Sequence, residues 1–309
     1  VPHQIGHDYV AQYYGGYIAE SVLVDGSALA ADSFGEFDND SEIWKPKNVS
    51  SLSLGTNGFY LEFGDGSALG ASTGNSNNLS DNNLTALDQM VDTCTNNWTT
   101  FSPLLGTAGS DAGNQSYQQG NLRDLGGGGI LSNTILPSTG KWFIEYHFDQ
   151  ADAQSDPGVG FWSIGTSQPI NWYQSGFKGV VLKYNGAVYL NGSNSFSADG
   201  FGNGNVISIA IDFDNDRITF YKNGSAISNL TNYSYPLSDY TDISTGVTDG
   251  ATAAGLNGNY TLNAGQNGTF NGRVSAGGNK DANGFGDFTM SVPSGYLAIC
   301  TKNLSEANS

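Results

Sequence analysis

The chain has 309 residues, with 43 Gly, 8 Pro, 38% hydrophobic and 12% aromatic residues, which is material for a turn-rich but ordered core. Its 11 Lys and Arg stand against 29 Asp and Glu, a formal charge of −18 at pH 7; this argues against nucleic acid and anionic membranes, since both require a cationic footprint. Only 13% of residues are charged, so the surface is expected to be neutral and polar, and no run approaches the ~20 apolar residues of a membrane span.

The opening Val1-Pro2-His3-Gln4 has neither an initiator Met nor the layout of a secretion signal, so the chain reads as processed or as a piece of a longer one. Alternation predicts strands over 17–24 (Ile18, Val22, Val24) and 58–63 (Phe59, Leu61, Phe63). Residues 64–83 form a Gly/Ser/Asn-rich loop. A short helix is predicted over 84–91, capped by Asn82 or Asn83 and running through Leu87 and Met90. Apolar density then falls between Gly106 and Gly120, which places a domain boundary there. Residues 1–106 form a smaller β-rich module and 107–309 a second domain; alternatively the early strands complete the later sandwich and the chain is one unit.

The second half alternates more clearly. Lys141 to Phe148 is a strand with Ile144, Tyr146 and Phe148 on one face, and Gly160 to Ile164 is another. Gly179–Tyr184 and Ala187–Leu190 flank Asn185-Gly186, a favoured hairpin dipeptide. Ile207, Ile209, Ile211 and Phe213 line one buried face. Asp214-Asn215-Asp216 then turns the chain into Ile218 and Phe220, and Asn223-Gly224 turns it again. The expected class is all-β. Cys94 and Cys300 are too few for a disulfide framework or a cysteine-built metal site and read as buried free thiols.

Several strings bring a family to mind. Lys141-Trp142-Phe143-Ile144-Glu145-Tyr146, then Ile209 to Asp214 with Arg217 to Gly224, then Leu262-Asn263-Ala264-Gly265-Gln266 resemble the ordered motifs of SPRY domains, with Ala264 where an aromatic is usual. The resemblance covers about Asn114 to Leu304 and implies a concanavalin-like antiparallel β-sandwich that binds ligands through loops at one edge. Tyr17 to Glu20, Val24 to Leu29, Phe34-Gly35-Glu36, Trp44 to Lys47, Thr56 to Phe63, Asp92 to Asn97 and the closing Pro293 to Leu304 are similar to structural proteins of tailed bacteriophages, many of them marine. This implies a virion component such as a tail fibre, an appendage or a capsid-attached protein. Its partners would be other virion proteins and copies of itself, and it would require no cofactor.

Candidate chemistry is sparse. Asp212, Asp214 and Asp216 alternate, but without EF-hand spacing or its downstream Glu they read as a hairpin turn rather than a metal site. Glycoside hydrolysis requires two carboxylates about 5–10 Å apart, and Glu20, Glu36, Glu62 and Glu145 are isolated in sequence. A polysaccharide depolymerase is therefore the alternative reading, and a non-enzymatic protein with no catalytic residues the preferred one. His3 and His7 lie at the terminus beside Pro2 and Gly6, and His147 has no Gly-x-Ser-x-Gly partner. Gly126 to Gly129 lacks the Lys of a phosphate loop and reads as a connection. Loop aromatics remain: Asn171, Trp172 and Tyr173, and Tyr233, Tyr235 and Tyr240 with Asp239 and Asp242. Flat rings flanked by amides and carboxylates suit sugar faces and hydroxyls. These six are the candidate contacts to a host surface glycan; packing against the sandwich end or a neighbouring subunit is the competing role.

Overall fold

The alternation that runs through the second half of the chain resolves into two antiparallel sheets. The computed structural model describes residues 4–6, 14, 18–37, 44–89, 96–106, 117–125, 129–151, 153, 155–164, 176–249, 259–275 and 277–306. The chain divides into two units, Val1–Asn97 and Trp98–Ser309. The division falls upstream of Gly106 because the Phe101–Gly106 strand pairs with Ile130–Ser132 of the second unit.

Among the described residues one sheet has seven strands. Their order is Ser193–Ser197, Ala187–Leu190, Gly179–Lys183, Pro157–Ser163, Ile243–Asp249, Ile130–Ser132 and Phe101–Gly106. The other centres on Lys141–Phe148, hydrogen-bonded to Val206–Asp212 on one side and Tyr260–Asn263 on the other. Arg217–Lys222 extends it beyond Val206–Asp212 in the register Ile209↔Phe220, and Arg123–Asp124 and Tyr117–Gln118 extend it at the far edge. The hairpin turns form where the sequence places them: Asp216, Gly186 and Gly224 hold φ values of +53°, +87° and +82°. The two sheets face each other as an antiparallel β-sandwich, with Phe101 of one stacked on Tyr146 of the other at 6.2 Å.

The alternation suggests one buried face per strand; the structure buries both. On Lys141–Phe148, Trp142, Ile144, Tyr146 and Phe148 point one way, and Phe143, Glu145 and His147 the other, and all seven are buried. Ser208 and Ala210, the polar-side residues of the next strand, are also buried. The segment from Ala264 to Cys300 covers this second face. Phe288 packs edge-on to Phe143 at 5.3 Å, Phe270 lies 5.6 Å from His147, and Leu297–Ala298 adds a parallel strand beside Trp142 and Phe143. Trp98, Phe143, Ala210, Phe288, Ala298 and Cys300 form one cluster; Cys300 is a buried thiol, and Cys94 lies outside the described residues. Where an aromatic is usual at Ala264, Ala264 is itself buried, and the next residue, Gly265 (φ +117°), leaves room for the Trp98 ring, which a Cβ there would meet at 2.4 Å. The described residues end in a helix, Thr301–Glu306, that the sequence reading did not anticipate.

The first unit is lighter in regular structure. Ser21–Leu23 pairs with Phe59–Leu61, shorter than the predicted spans, and Phe63 leaves the extended region at φ +52°. Val49, Leu54 and Tyr60 pack with Val22, Val24, Phe34 and Leu52. In place of the predicted helix there is a single 3-10 turn, Ala86–Asp88; Thr85, not Asn82 or Asn83, is its partner residue, donating its N–H and hydroxyl to Asp88. A second hairpin, Gly35–Phe37 with Trp44–Pro46, sets Phe37 edge-on to Trp44 at 5.1 Å.

Candidate functional site

Lys141–Phe148 runs the length of the sandwich, and side chains with chemistry gather at both of its ends. At the Lys141 end the anchor is the Asp214-Asn215-Asp216 turn. The Asp216 carboxylate accepts the Ser238 N–H (2.9 Å) and hydroxyl (3.0 Å), and its carbonyl accepts the Tyr235 N–H. Leu237, fully buried, closes a 3-10 turn that ends at Tyr240. Thus Tyr233, Tyr235 and Tyr240, separate in sequence from the sheet, are fixed beside it.

Tyr235 is 2% exposed, edge-on to Phe161 at 5.6 Å and stacked on Tyr240 at 6.0 Å. Its hydroxyl donates to Asn191 Oδ1 at 2.7 Å, an oxygen that also accepts the Gly179 N–H at 3.1 Å. Burial, then the neighbouring Tyr240, raises its pKa above the usual tyrosine value. Tyr233 packs against Phe196 at 5.2 Å. Of the six candidate glycan contacts, these three therefore converge at one end, with Tyr235 sealed into the packing and Tyr233 and Tyr240 half-buried. Asn171, Trp172 and Tyr173 lie outside the described residues. Also at this end, the Ser163 hydroxyl donates to Asp242 at 2.7 Å.

The alternating aspartates go to three different tasks. Asp212 pairs with Lys141 at 3.0 Å and accepts from Asn215, Asp214 accepts the Gly140 N–H at 2.7 Å, and Asp216 holds Ser238. Among the described residues no three His, Cys, Asp or Glu side chains group to hold a metal ion. His3 and His7 lie outside them.

Glu145 occupies the middle of the sheet's second face, wholly buried. Its Oε2 accepts from Asn263 Nδ2 (3.0 Å) and the Thr289 N–H (2.9 Å), and its Oε1 accepts the Met290 N–H (2.8 Å). Desolvation pushes the carboxyl up to about 7, against the opposing pull of these donors. Asn263 also donates to the Asp287 carbonyl and accepts from Gly265 and Asn267, so the Leu262-Asn263-Ala264-Gly265-Gln266 string acts as a buried clasp. The sequence showed Glu145 as an isolated acid. Its partners are more than a hundred residues downstream, and no local signal marks them.

At the other end, beyond Phe148, side chains from the edge strand Arg123–Asp124 and from the Ala264–Cys300 segment meet at Asp149. Arg123 Nη2 donates to its Oδ2 at 2.9 Å, and Arg273 Nε is shared between its oxygens at 3.1 and 2.9 Å. His147 Nδ1 stands 3.4 Å from Oδ1 without a hydrogen bond. Burial lowers the imidazole pKa; Asp149 opposes this, and Arg273 and Arg123 reinforce it. Sequence reasoning passed over this cluster. Its one available signal was that the chain has only three arginines, two of which meet here.

No family model and no curated protein matches the chain. Among solved structures it is similar to the SPRY domain of human HERC1, at 15% identity over 52% of this chain and 96% of that one, with a TM-score of 0.42. It is also similar to the PSpry domain of TRIM65, at 9% identity over 54% and 90% with a TM-score of 0.40. A third is stonustoxin, at 14% identity over 54% and 27% with a TM-score of 0.38. The antiparallel sandwich itself rests on the strand ladders of this chain.

Proposed function

We propose that this chain is a non-enzymatic structural component of a bacteriophage virion, a fibre, appendage or capsid-attached part. In this reading the sandwich is a rigid block that presents polar loops, and the end carrying Tyr233 and Tyr240 meets host surface glycan. One observation supports it most: the carboxylate at the centre of the fold, Glu145, is committed to three internal donors and holds the covering segment in place. Such a network stiffens a scaffold. The ordered sequence strings similar to tailed-phage structural proteins supply the setting, in which symmetric copies turn weak single contacts into firm attachment.

The test uses host capsular polysaccharide passed over immobilised protein. Retention at unchanged chain length, weakened about tenfold in Tyr240→Ala, is the expected result. Shortened chains in the eluate would instead establish a depolymerase.

A further inference from the structure

The Arg123–Asp149–Arg273 cluster has more cationic than anionic side chains. Two guanidinium groups face one carboxylate, and the third neighbour, His147, is held toward its neutral form by burial. Arginine offers five N–H donors in a planar fork. Arg273 uses Nε on Asp149 and one Nη1 hydrogen on the Phe270 carbonyl at 2.8 Å, so its Nη2 edge takes no partner among the described residues. Arg123 directs Nη2 to Asp149 and Nη1 to Gln118 at 3.3 Å, and its Nε is buried without a hydrogen bond among the described residues. His147 Nδ1, on a side chain 5% exposed, likewise has no hydrogen bond among the described residues and stands 3.4 Å from Asp149. Unsatisfied buried polar nitrogens cost stability, and their gathering at one spot points to a group that arrives from outside.

We propose that Arg123 and Arg273 form a binding site for the carboxylate of an acidic ligand, with Asp149 holding the two forks in position. A carboxylate matches the fork geometry in a bidentate pair, and Arg273 and Arg123 remain 16% and 20% exposed, open enough to admit it. The molecule as a whole carries −18, so its long-range field repels anions and only a local arrangement attracts one. The site lies at the sandwich end away from Tyr233 and Tyr240, and it does not depend on the display role proposed above.

Because the chain has only three arginines, Arg123, Arg217 and Arg273, their Nε–Hε resonances form a nearly self-assigning NMR probe. Titrating the full chain with glucuronate should shift the Arg123 and Arg273 signals saturably and leave Arg217, which is bonded to Ser234 and the Asp216 carbonyl, in place. Glucose should shift none. Arg273→Lys keeps the charge but removes the fork, and should weaken glucuronate about tenfold; Asp149→Asn removes the competing acid and should strengthen it. Inorganic sulfate binding at the same two signals supports the same oxyanion chemistry. Equal drift of all three signals, a response to glucose, or no response to glucuronate or sulfate would overturn the proposal.

Discussion

At Glu145 the desolvation of a carboxylate competes with three N–H donors, and desolvation is the larger effect. The folded chain holds this proton to about pH 7, whereas the ordinary value is 4.5, so the native state binds the proton more tightly than the unfolded one. The contribution of Glu145 to stability is therefore greatest below about pH 4.5 and is lost as pH rises through 7. The gap corresponds to about 3 kcal/mol. Denaturant melts of the wild type and of Glu145→Gln across this window should show the wild type losing that much relative to the variant. Parallel pH profiles would contradict the assignment. Tyr235 illustrates a different lesson at this scale. Its loop position and polar tip suggested ligand contact, but a hydroxyl that can reach Asn191 allows the whole ring to enter the packing.

The element with the least regular structure does much of the covering. From Ala264 to Cys300 the described residues contribute one two-residue strand, Leu297–Ala298, and side-chain hubs replace a hydrogen-bond ladder. Asp281 is the clearest hub. Its carboxylate accepts the N–H groups of Asn283, Phe285 and Ala298 and the amide of Asn303 at 2.7–3.0 Å. Asp281→Ala strands these buried donors and should cost about 3 kcal/mol. Amide exchange should accelerate at Phe285 and Ala298 before it does in the central strands; uniform protection along the chain would refute the hub. Such hubs were illegible in the sequence, because Asp281 meets Ala298 and Asn303 only after the segment has wrapped onto a sheet built from distant residues. The hairpins were legible because alternation and turn chemistry are local. Ile207 to Asp212, the Asp214–Asp216 turn and Arg217 to Lys222 appear in the expected register. Alternation says which residues share a face but not what covers each face, so the double burial of Lys141–Phe148 could not be read from it.

For the whole molecule, the shift of the division from Gly106 to Asn97 has the same origin. Apolar density marks where a core thins, while the Phe101–Gly106 strand belongs with its ladder partner regardless of composition. Two units result, the second a sandwich whose central sheet is buried on both faces. Such a block gains rigidity from packing on either side of one sheet. Its net charge of −18 favours solubility. The most direct measurement is quantitative mass spectrometry of purified phage particles, with antibody labelling of intact particles by electron microscopy. The account predicts this chain at a fixed multiple copy number per particle, decorating one defined location. Its recovery only from the soluble lysate, with none on purified particles, would contradict it.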